Sequence, residues 1–203
     1  MDDNYHLIKT NLCKEKGIQL IHIFEDEWLF KKDIVKLNLN HILKIYDKNI
    51  ISPNYEIKEI NTRLKNKFLE NHHIEGKSDS SINLGVFHID KLISVMTFQK
   101  KNDYKLNRFC VDYKHNLINI SVSLLNYFRN NYEWKEVYSY VDLRWGTGIF
   151  FENLGFELEG QTQINNWYFK EGHLNRYKSK DINFLKICDC GNLKYKIINK
   201  GNK

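Results

Sequence analysis

Residues 137–156, VYSYVDLRWGTGIFFENLGF, limit the possible folds of this chain more than any other stretch. The apolar residues at its start predict a buried strand, and Gly146 and Gly148 predict a tight turn after that strand. A short helix follows, and Leu154-Gly155-Phe156 begins the next strand. A strand, a turn, a short helix and a second strand in so short a stretch predict a compact α/β structure.

This order resembles the C-terminal part of the GNAT acyltransferase fold, whose short helix is closed by the residues LGF. The neighbouring sequence predicts the other elements that the resemblance implies, in the order helix, hairpin, strand and helix. We therefore predict an α/β fold with a GNAT-like mixed sheet flanked by helices. The predicted elements are a helix over 57–70, strands over 83–88 and 91–99 that turn at Ile89-Asp90, a strand over 104–111, a helix over 120–131, and strands near 166–170 and 193–198.

The N-terminal quarter has a different pattern. Helical spacing of apolar residues predicts helices over 4–17 and 28–46, and the β-branched run 18–24 predicts a short strand. The acidic triplet 25–27 is expected to end that strand in solvent. A polar stretch over 47–54 holds Pro53, the only proline, and predicts a linker. We accordingly divide the chain into residues 1–54 and a GNAT-like domain over 55–203.

Composition excludes some classes of function and leaves others open. The chain has 203 residues, 42% of them hydrophobic, and a net charge of +6, which favours either simple solubility or a nucleic-acid partner. It has no apolar run of about 20 residues, so we expect no membrane partner and a location in the cytoplasm. The four cysteines are then expected to be reduced, and the spacing Cys188-x-Cys190 is a poor zinc half-site, so we predict no metal ligands.

Three further stretches resemble one family of proteins. YHLIKTNLCKEKGIQLIHIFEDEW at the N-terminus, KEINTRLKNKFLENHHIEG from residue 58 and ICDCGNLKY from residue 187 are similar to bacteriophage homing endonucleases with a very-short-patch-repair-like nuclease core. The resemblance implies a DNA-associated phage or mobile-element protein. It also implies that residues 1–54 are an N-terminally truncated remnant of that core, because the metal-binding strands of such nucleases lie upstream of the first helix seen here. Mg²⁺ is expected only if the nuclease part is functional.

The GNAT resemblance implies a second function, CoA-dependent N-acetyl transfer to nucleic acid or protein, with acetyl-CoA as the cofactor. Such enzymes hold the pyrophosphate on N–H groups at a helix N-terminus, and the matching turn here contains no glycine. Phe151 stands where a tyrosine would protonate the departing thiolate, so that acid is missing. The candidate cofactor-binding residues are Lys114, His115, Asn119 and Ile120, and the candidate catalytic residues are Glu75, Asp142 and Tyr168.

Basic and aromatic residues near these elements suit a nucleic-acid interface, because guanidinium groups bind phosphates and aromatic rings stack on bases. Arg108 and Asp142 either line a cleft or form a salt bridge with one another, and Trp145 either stacks on a base or closes the core. The candidate nucleic-acid contacts are Arg108, Arg144, Trp145, Arg176, Lys178 and Lys180. The main prediction is a DNA-associated protein, the alternative is the acetyltransferase, and the third possibility is a binding module with neither activity.

Overall fold

The computed structural model describes residues 3–45, 55–112, 117–169, 176–177 and 184–201. The chain divides into two compact units, of which one comprises Met1–Lys32 with Tyr140–Lys196 and the other Asp33–Ser139 with Ile197–Lys203. The predicted linker over 47–54 lies outside the described residues, so the division at residue 54 stays a prediction.

Six helices and ten strands are present in the described residues. The helices are α1 (Tyr5–Glu15), α2 (Glu25–Phe30), α3 (Lys32–Ile42), α4 (Thr62–His72), α5 (Leu117–Asn131) and α6 (Ile149–Asn153). The strands are β1 (Glu56–Glu59), β2 (Ile82–His88), β3 (Lys91–Lys100), β4 (Tyr104–Val111), β5 (Glu136–Asp142), β6 (Glu157–Gln161), β7 (Asn166–Phe169), β8 (Arg176–Tyr177), β9 (Leu185–Cys188) and β10 (Asn192–Ile198).

Seven of the strands form one mixed sheet in the order β1-β2-β3-β4-β5-β10-β6. Strands β1 to β4 are antiparallel neighbours, whereas β4 and β5 run parallel. Phe98 of β3 and Phe128 of α5 stack at 3.9 Å between ring centroids, and both side chains are fully buried. Burial of two aromatic side chains contributes several kcal/mol, about 1.5–3 each, to holding α5 on this part of the sheet.

The predicted hairpin is confirmed. Strands β2 and β3 pair from Ile82–Phe98 to His88–Lys91, which leaves Ile89 and Asp90 as a two-residue turn. Both turn residues have positive φ, 45° and 60°. A type I′ turn requires this conformation because its twist matches that of the flanking strands.

The LGF signature is explained by the end of α6. Gly155 has a φ of 82°, and its N–H binds the carbonyl of Glu152 while the N–H of Phe156 binds the carbonyl of Phe151. These two bonds form a Schellman motif, in which glycine is favoured because it adopts positive φ without strain. Phe156 is then buried, at 3% exposure, and directs the chain into β6.

Strands β7, β8 and β9 form a second, small sheet in the same unit as β6. Asp189 connects segments at the end of this sheet. Its carboxylate accepts hydrogen bonds from the main chain of Asn165 and Gly191 and from the indole of Trp167. Asp189 is 6% exposed. These hydrogen bonds tie the residue before β7 to the turn between β9 and β10.

Four predicted elements differ from the structure. The helix predicted over 28–46 is divided at Lys31 between α2 and α3. Residues 18–24 form no strand. The acidic triplet begins α2 instead of ending a strand, and two of its members, Asp26 and Glu27, are buried. The helix predicted over 57–70 is split: residues 56–59 form β1 on β2, and Asn61 caps α4 by accepting the N–H of Leu64. No helix in the described part of the chain is long and apolar enough to cross a membrane.

Ile89→Asn should raise the free energy of unfolding by about 0.5–1 kcal/mol, because asparagine tolerates positive φ better than a β-branched residue does. Ile89 is 84% exposed, so little packing is lost. Urea unfolding measures the change. Ile89→Val is the matched control and should leave stability unchanged, and a stability loss in Ile89→Asn would contradict the assigned turn.

Candidate functional site

The side of β4 that faces β5 is the first feature that suits a ligand. Its parallel ladder with β5 begins with Tyr104–Val137 and Lys105–Tyr138. The next carbonyl of β4, that of Leu106, accepts a hydrogen bond of 2.9 Å from the hydroxyl of Ser139. A side chain therefore occupies the place where a main-chain N–H would continue a regular ladder.

A β-bulge lies directly after this point. Leu106 pairs with Phe98 of β3 and Arg108 pairs with Thr97, so Asn107 is an extra residue in β4. A bulge bends its strand and re-aims the following side chains. Beyond the bulge β4 stays paired with β3 as far as Val111, whereas its ladder with β5 covers Tyr104 and Lys105.

The N-terminus of α5 is the second feature. The first N–H groups of a helix lack intrahelical acceptors and attract anions, and no acidic residue lies in the first turn of α5. Asn119 is exposed there, as a cofactor contact requires. The Ile120 side chain is buried at 6% exposure, and the role of Ile120 in cofactor binding stays a prediction. Lys114 and His115 lie outside the described residues.

Arg108 and Glu75 are brought together in the unit that contains β4. Arg108 Nη2 lies 2.7 Å from Glu75 Oε2, and Arg108 Nη1 donates to the carbonyl of Asn107 at 2.8 Å. The Arg108 side chain is 16% exposed and that of Glu75 is 50% exposed. Arg108 thus pairs with Glu75, whereas Asp142, its predicted partner, pairs with Arg144, and the Glu75 side chain is half exposed.

Arg144 is the centre of a buried ionic cluster in the other unit. Its Nη1 donates to Glu27 Oε1 at 2.9 Å and its Nη2 donates to Asp142 Oδ2 at 2.6 Å. The guanidinium also lies 4.7 Å from the ring centre of Phe24. Although burial by itself lowers the pKa of Arg144, the two carboxylates raise it above its usual value.

This cluster corrects two predicted roles. Arg144 is 4% exposed, so the predicted phosphate contact is wrong for this conformation. Asp142 accepts from the main-chain N–H, Nε and Nη2 of Arg144, which gives the predicted base a structural role. Trp145 is partly buried, and its indole N–H is buried without a hydrogen-bond partner among the described residues. That burial favours the closing of the core over base stacking.

Two histidines from the N-terminal segment lie beside this cluster. His22 Nε2 is 2.8 Å from Thr10 Oγ1, and the rings of His6 and His22 meet edge to face at 5.0 Å. Thr10 Oγ1 is also 3.4 Å from Cys190 Sγ. Burial, together with the nearby His6, Lys9 and Arg144, lowers the pKa of His22 to about 4. Both rings are therefore neutral at physiological pH, since the pKa of His6 is lowered by the same kind of burial.

Phe151 lies on α6 against Tyr195, with ring centroids 5.8 Å apart. Tyr195 donates to Glu152 Oε1 at 2.8 Å, and burial followed by this bond raises its pKa to about 12. Gly148 starts α6 with a φ of 94°, and a Cβ there would lie only 2.0 Å from Tyr195 Oη. This part of the chain is closely packed around a phenol that holds its proton firmly.

The remaining predicted residues are spread over the small sheet. Tyr168 lies on β7, opposite Lys186 of β9 and Tyr177 of β8. Arg176 begins β8, but its side chain lies outside the description, as do Lys178 and Lys180. Their predicted phosphate contacts and the catalytic role of Tyr168 stay predictions. Among the described residues, no group of three His, Cys, Asp or Glu side chains is arranged to hold a metal ion.

Sequence reasoning missed several residues that organise these regions. Glu27 was assigned to solvent, although its position three residues after Phe24 is the spacing of a capping box, and its Oε2 does accept from the N–H of Phe24 at 3.3 Å. Lys65 is 1% exposed on α4, and helical periodicity alone does not reveal a buried lysine. The Thr10–His22 pair had no signal in the sequence.

Comparison with known proteins identifies the fold. The ribosomal-protein-S18-alanine N-acetyltransferase of Escherichia coli superposes with a TM-score of 0.50 at 13% identity, over 74% of this chain and 97% of that chain. A GNAT acetyltransferase of Elizabethkingia anophelis with acetyl-CoA bound matches with a TM-score of 0.48 at 13% identity, over 73% and 100% of the two chains. No family model matches, and no curated protein matches. The predicted GNAT fold is confirmed, whereas the resemblance of residues 1–54 to a nuclease core stays a prediction.

Glu27→Ala should lower the free energy of unfolding by about 2–4 kcal/mol, because it removes a cap and leaves the buried Arg144 with one carboxylate fewer. Urea unfolding measures the loss. Glu25→Ala on the same helix is the matched control, since Glu25 is exposed, and its effect should stay within about 0.5 kcal/mol. Equal effects of the two substitutions would contradict the buried cluster.

Acid should destabilise the fold through His22. Its folded pKa of about 4 lies below the unfolded value of 6.5, so the folded state binds fewer protons. The contribution is complete above pH 6.5 and is lost as the pH falls from 6.5 towards 4, by at most about 3 kcal/mol. Urea unfolding between pH 8 and pH 4 measures this slope. His22→Asn should flatten it, whereas the control His88→Asn should not, because His88 is only partly buried at the end of β2.

Proposed function

We propose that this chain binds acetyl-CoA on β4 and at the N-terminus of α5 and transfers the acyl group to a primary amine. The observation that carries the proposal is the course of β4 beyond Leu106, where a serine side chain replaces the ladder bond and Asn107 bulges. Main-chain groups of a strand that leaves its ladder are available to the amides of an extended ligand. The GNAT fold supports the same interpretation.

The residues present suit the two ends of such a ligand. The α5 N-terminus offers N–H groups without a competing acidic residue, which suits a pyrophosphate. Lys114 and His115, which precede it in the sequence, would add positive charge. When bound, acetyl-CoA supplies an acyl group activated as a thioester.

The proposed proton transfers differ from those that the GNAT resemblance implies, in which a tyrosine protonates the departing thiolate. Phe151 carries no acidic proton, and its neighbour Tyr195 is buried at 1% exposure and already donates to Glu152. We assign the acceptance of the amine proton to Glu75, because its carboxylate is half exposed and is oriented by Arg108. The departing thiolate takes a proton from water and leaves as the thiol, which makes the reaction slower than one with a tyrosine in place.

The DNA-associated role remains a second candidate, supported by the net charge of +6 and by the basic segment that contains Arg176, Lys178 and Lys180. In either case the cytoplasm is the proposed location.

A thermal-shift titration with acetyl-CoA tests the proposed function. Ligand at 100 times its dissociation constant should add about 2.7 kcal/mol to the free energy of unfolding. Lys114→Glu should weaken binding about tenfold, because a phosphate-binding charge is reversed. Lys101→Glu, in the exposed turn before β4, is the matched control and should bind as the wild type does.

No shift at millimolar acetyl-CoA, with duplex DNA retarded at low salt and released at high salt, would contradict the acyltransferase and favour the DNA-associated role. Loss of that retardation on replacing Arg176, Lys178 and Lys180 with alanine would assign the contact to this basic segment.

A further inference from the structure

Exposed apolar side chains are concentrated near the N-terminus of the unit that contains α1. In the described part of the chain, eight large apolar residues between positions 5 and 30 are at least 36% exposed. A single exposed apolar side chain is ordinary, whereas neighbouring ones that form a patch mark a surface that another molecule covers. Three of the eight lie on α1, and they are Tyr5, Ile8 and Leu12.

The two sides of α1 differ in what they contact. On the inner side, the His6 ring lies 5.3 Å from the ring of Phe24, and Thr10 Oγ1 lies 2.8 Å from His22 Nε2. The outer side presents side chains that are 42–54% exposed and follow each other at spacings of three and four residues. Residues at these spacings are neighbours along one helix face. The outer face of α1, defined by Tyr5, Ile8 and Leu12, is therefore a continuous apolar stripe.

Opposite charges lie at the two ends of this outer face. At the N-terminal end, Lys9 Nζ is 5.5 Å from the centre of the Tyr5 ring. At the C-terminal end, Glu15 is the last residue of α1, is exposed and follows Leu12 by three positions. A stripe with a cation at one end, an apolar centre and an anion at the other end is complementary to a copy of itself that runs in the opposite direction.

We propose that the outer face of α1 is an interface between two copies of this chain, in which the two α1 helices pack antiparallel about a two-fold axis. When Ile8 of one copy lies opposite Leu12 of the other, Glu15 lies opposite Tyr5, because both pairs are centred on position 10. Glu15 then meets the Lys9 ammonium that lies over Tyr5 in the other copy. A parallel pair would instead place Glu15 beside Glu15 of the second copy, and like charges at that distance are destabilising.

The size of this face sets the expected strength of the pairing. Helix α1 has 11 residues and is therefore about 16 Å long, so one helix pair gives a contact at the small end of specific interfaces. We expect a dimer that forms at micromolar concentration. Each contact occurs twice about the two-fold axis, so a single substitution changes the interface at two places. The inference is independent of acetyl-CoA binding, which is proposed for β4 and α5.

Sedimentation velocity of the full chain from about 2 to about 200 µM should show a dimer whose share rises with concentration. Leu12→Gln should weaken the dimer at least about tenfold, because two leucine side chains then stay in water. Leu43→Gln is the matched control and should dimerise as the wild type does, since Leu43 is 64% exposed and lies in the other unit. Both variants change exposed side chains, so both should fold.

Charge reversal tests the antiparallel direction. Lys9→Glu and Glu15→Lys should each weaken the dimer at least about fivefold, because each makes two pairs of like charge. An equimolar mixture of the two variants should form a mixed dimer about as readily as the wild type dimerises, and native mass spectrometry separates the species. Lys14→Glu is the control for net charge and should leave the dimer unchanged, since residues two positions apart, such as 12 and 14, do not share a helix face.

A chain that stays monomeric at about 200 µM, or a dimer that Leu12→Gln does not weaken, would overturn the proposal. Absence of the mixed dimer would contradict the antiparallel direction. Monomeric protein that binds lipid vesicles or duplex DNA, and loses that binding in Leu12→Gln, would assign the outer face of α1 to that partner and likewise overturn the proposal. None of these measurements includes acetyl-CoA, so the dimer and the proposed function can fail separately.

Discussion

The unit of residues 1–32 and 140–196 depends on the burial of the Arg144 guanidinium. A charge of this kind is tolerated in a protein interior only when carboxylates and hydrogen bonds replace the water that it loses. Asp142 supplies this from two residues away and Glu27 supplies it across 117 positions of the chain. The N-terminal segment is therefore an integral part of this unit, because without Glu27 the cation would be incompletely neutralised.

In the other unit, the bulge in β4 positions the neighbouring loop. One extra residue, Asn107, shifts the register of β4 with β3, and the Asn107 amide and Arg108 donate hydrogen bonds to carbonyls in the loop of residues 75–80. The proposed binding of acetyl-CoA rests on this irregularity. Phe151 carries no acidic proton, so the proposed binding is better supported by the residues than a fast chemical step is.

Local patterns predicted much of the fold. Three features could be predicted because each depends on residues within a few positions of one another. They are the bounds of β4, the turn at Ile89-Asp90 and the end of α6 at LGF. The predictions that were wrong had local signals which distant contacts outweighed. Residues 18–24 are β-branched, yet no ladder forms over them, and residues 56–59 pair with β2 instead of extending α4.

The sequence by itself determined most of the helices and strands and the phenylalanine at position 151, since periodicity and turn residues are properties of neighbouring positions, and its resemblance to the GNAT acyltransferases predicted the fold. Only the tertiary structure decided which charges meet: Arg108 with Glu75, Arg144 with Glu27 and Asp142, and Lys65 with a loop carbonyl. Partner choice depends on distances between residues far apart in the chain, and composition holds no information on those distances. The candidate residues were for this reason predicted one by one, and only the fold decided which of them lie together.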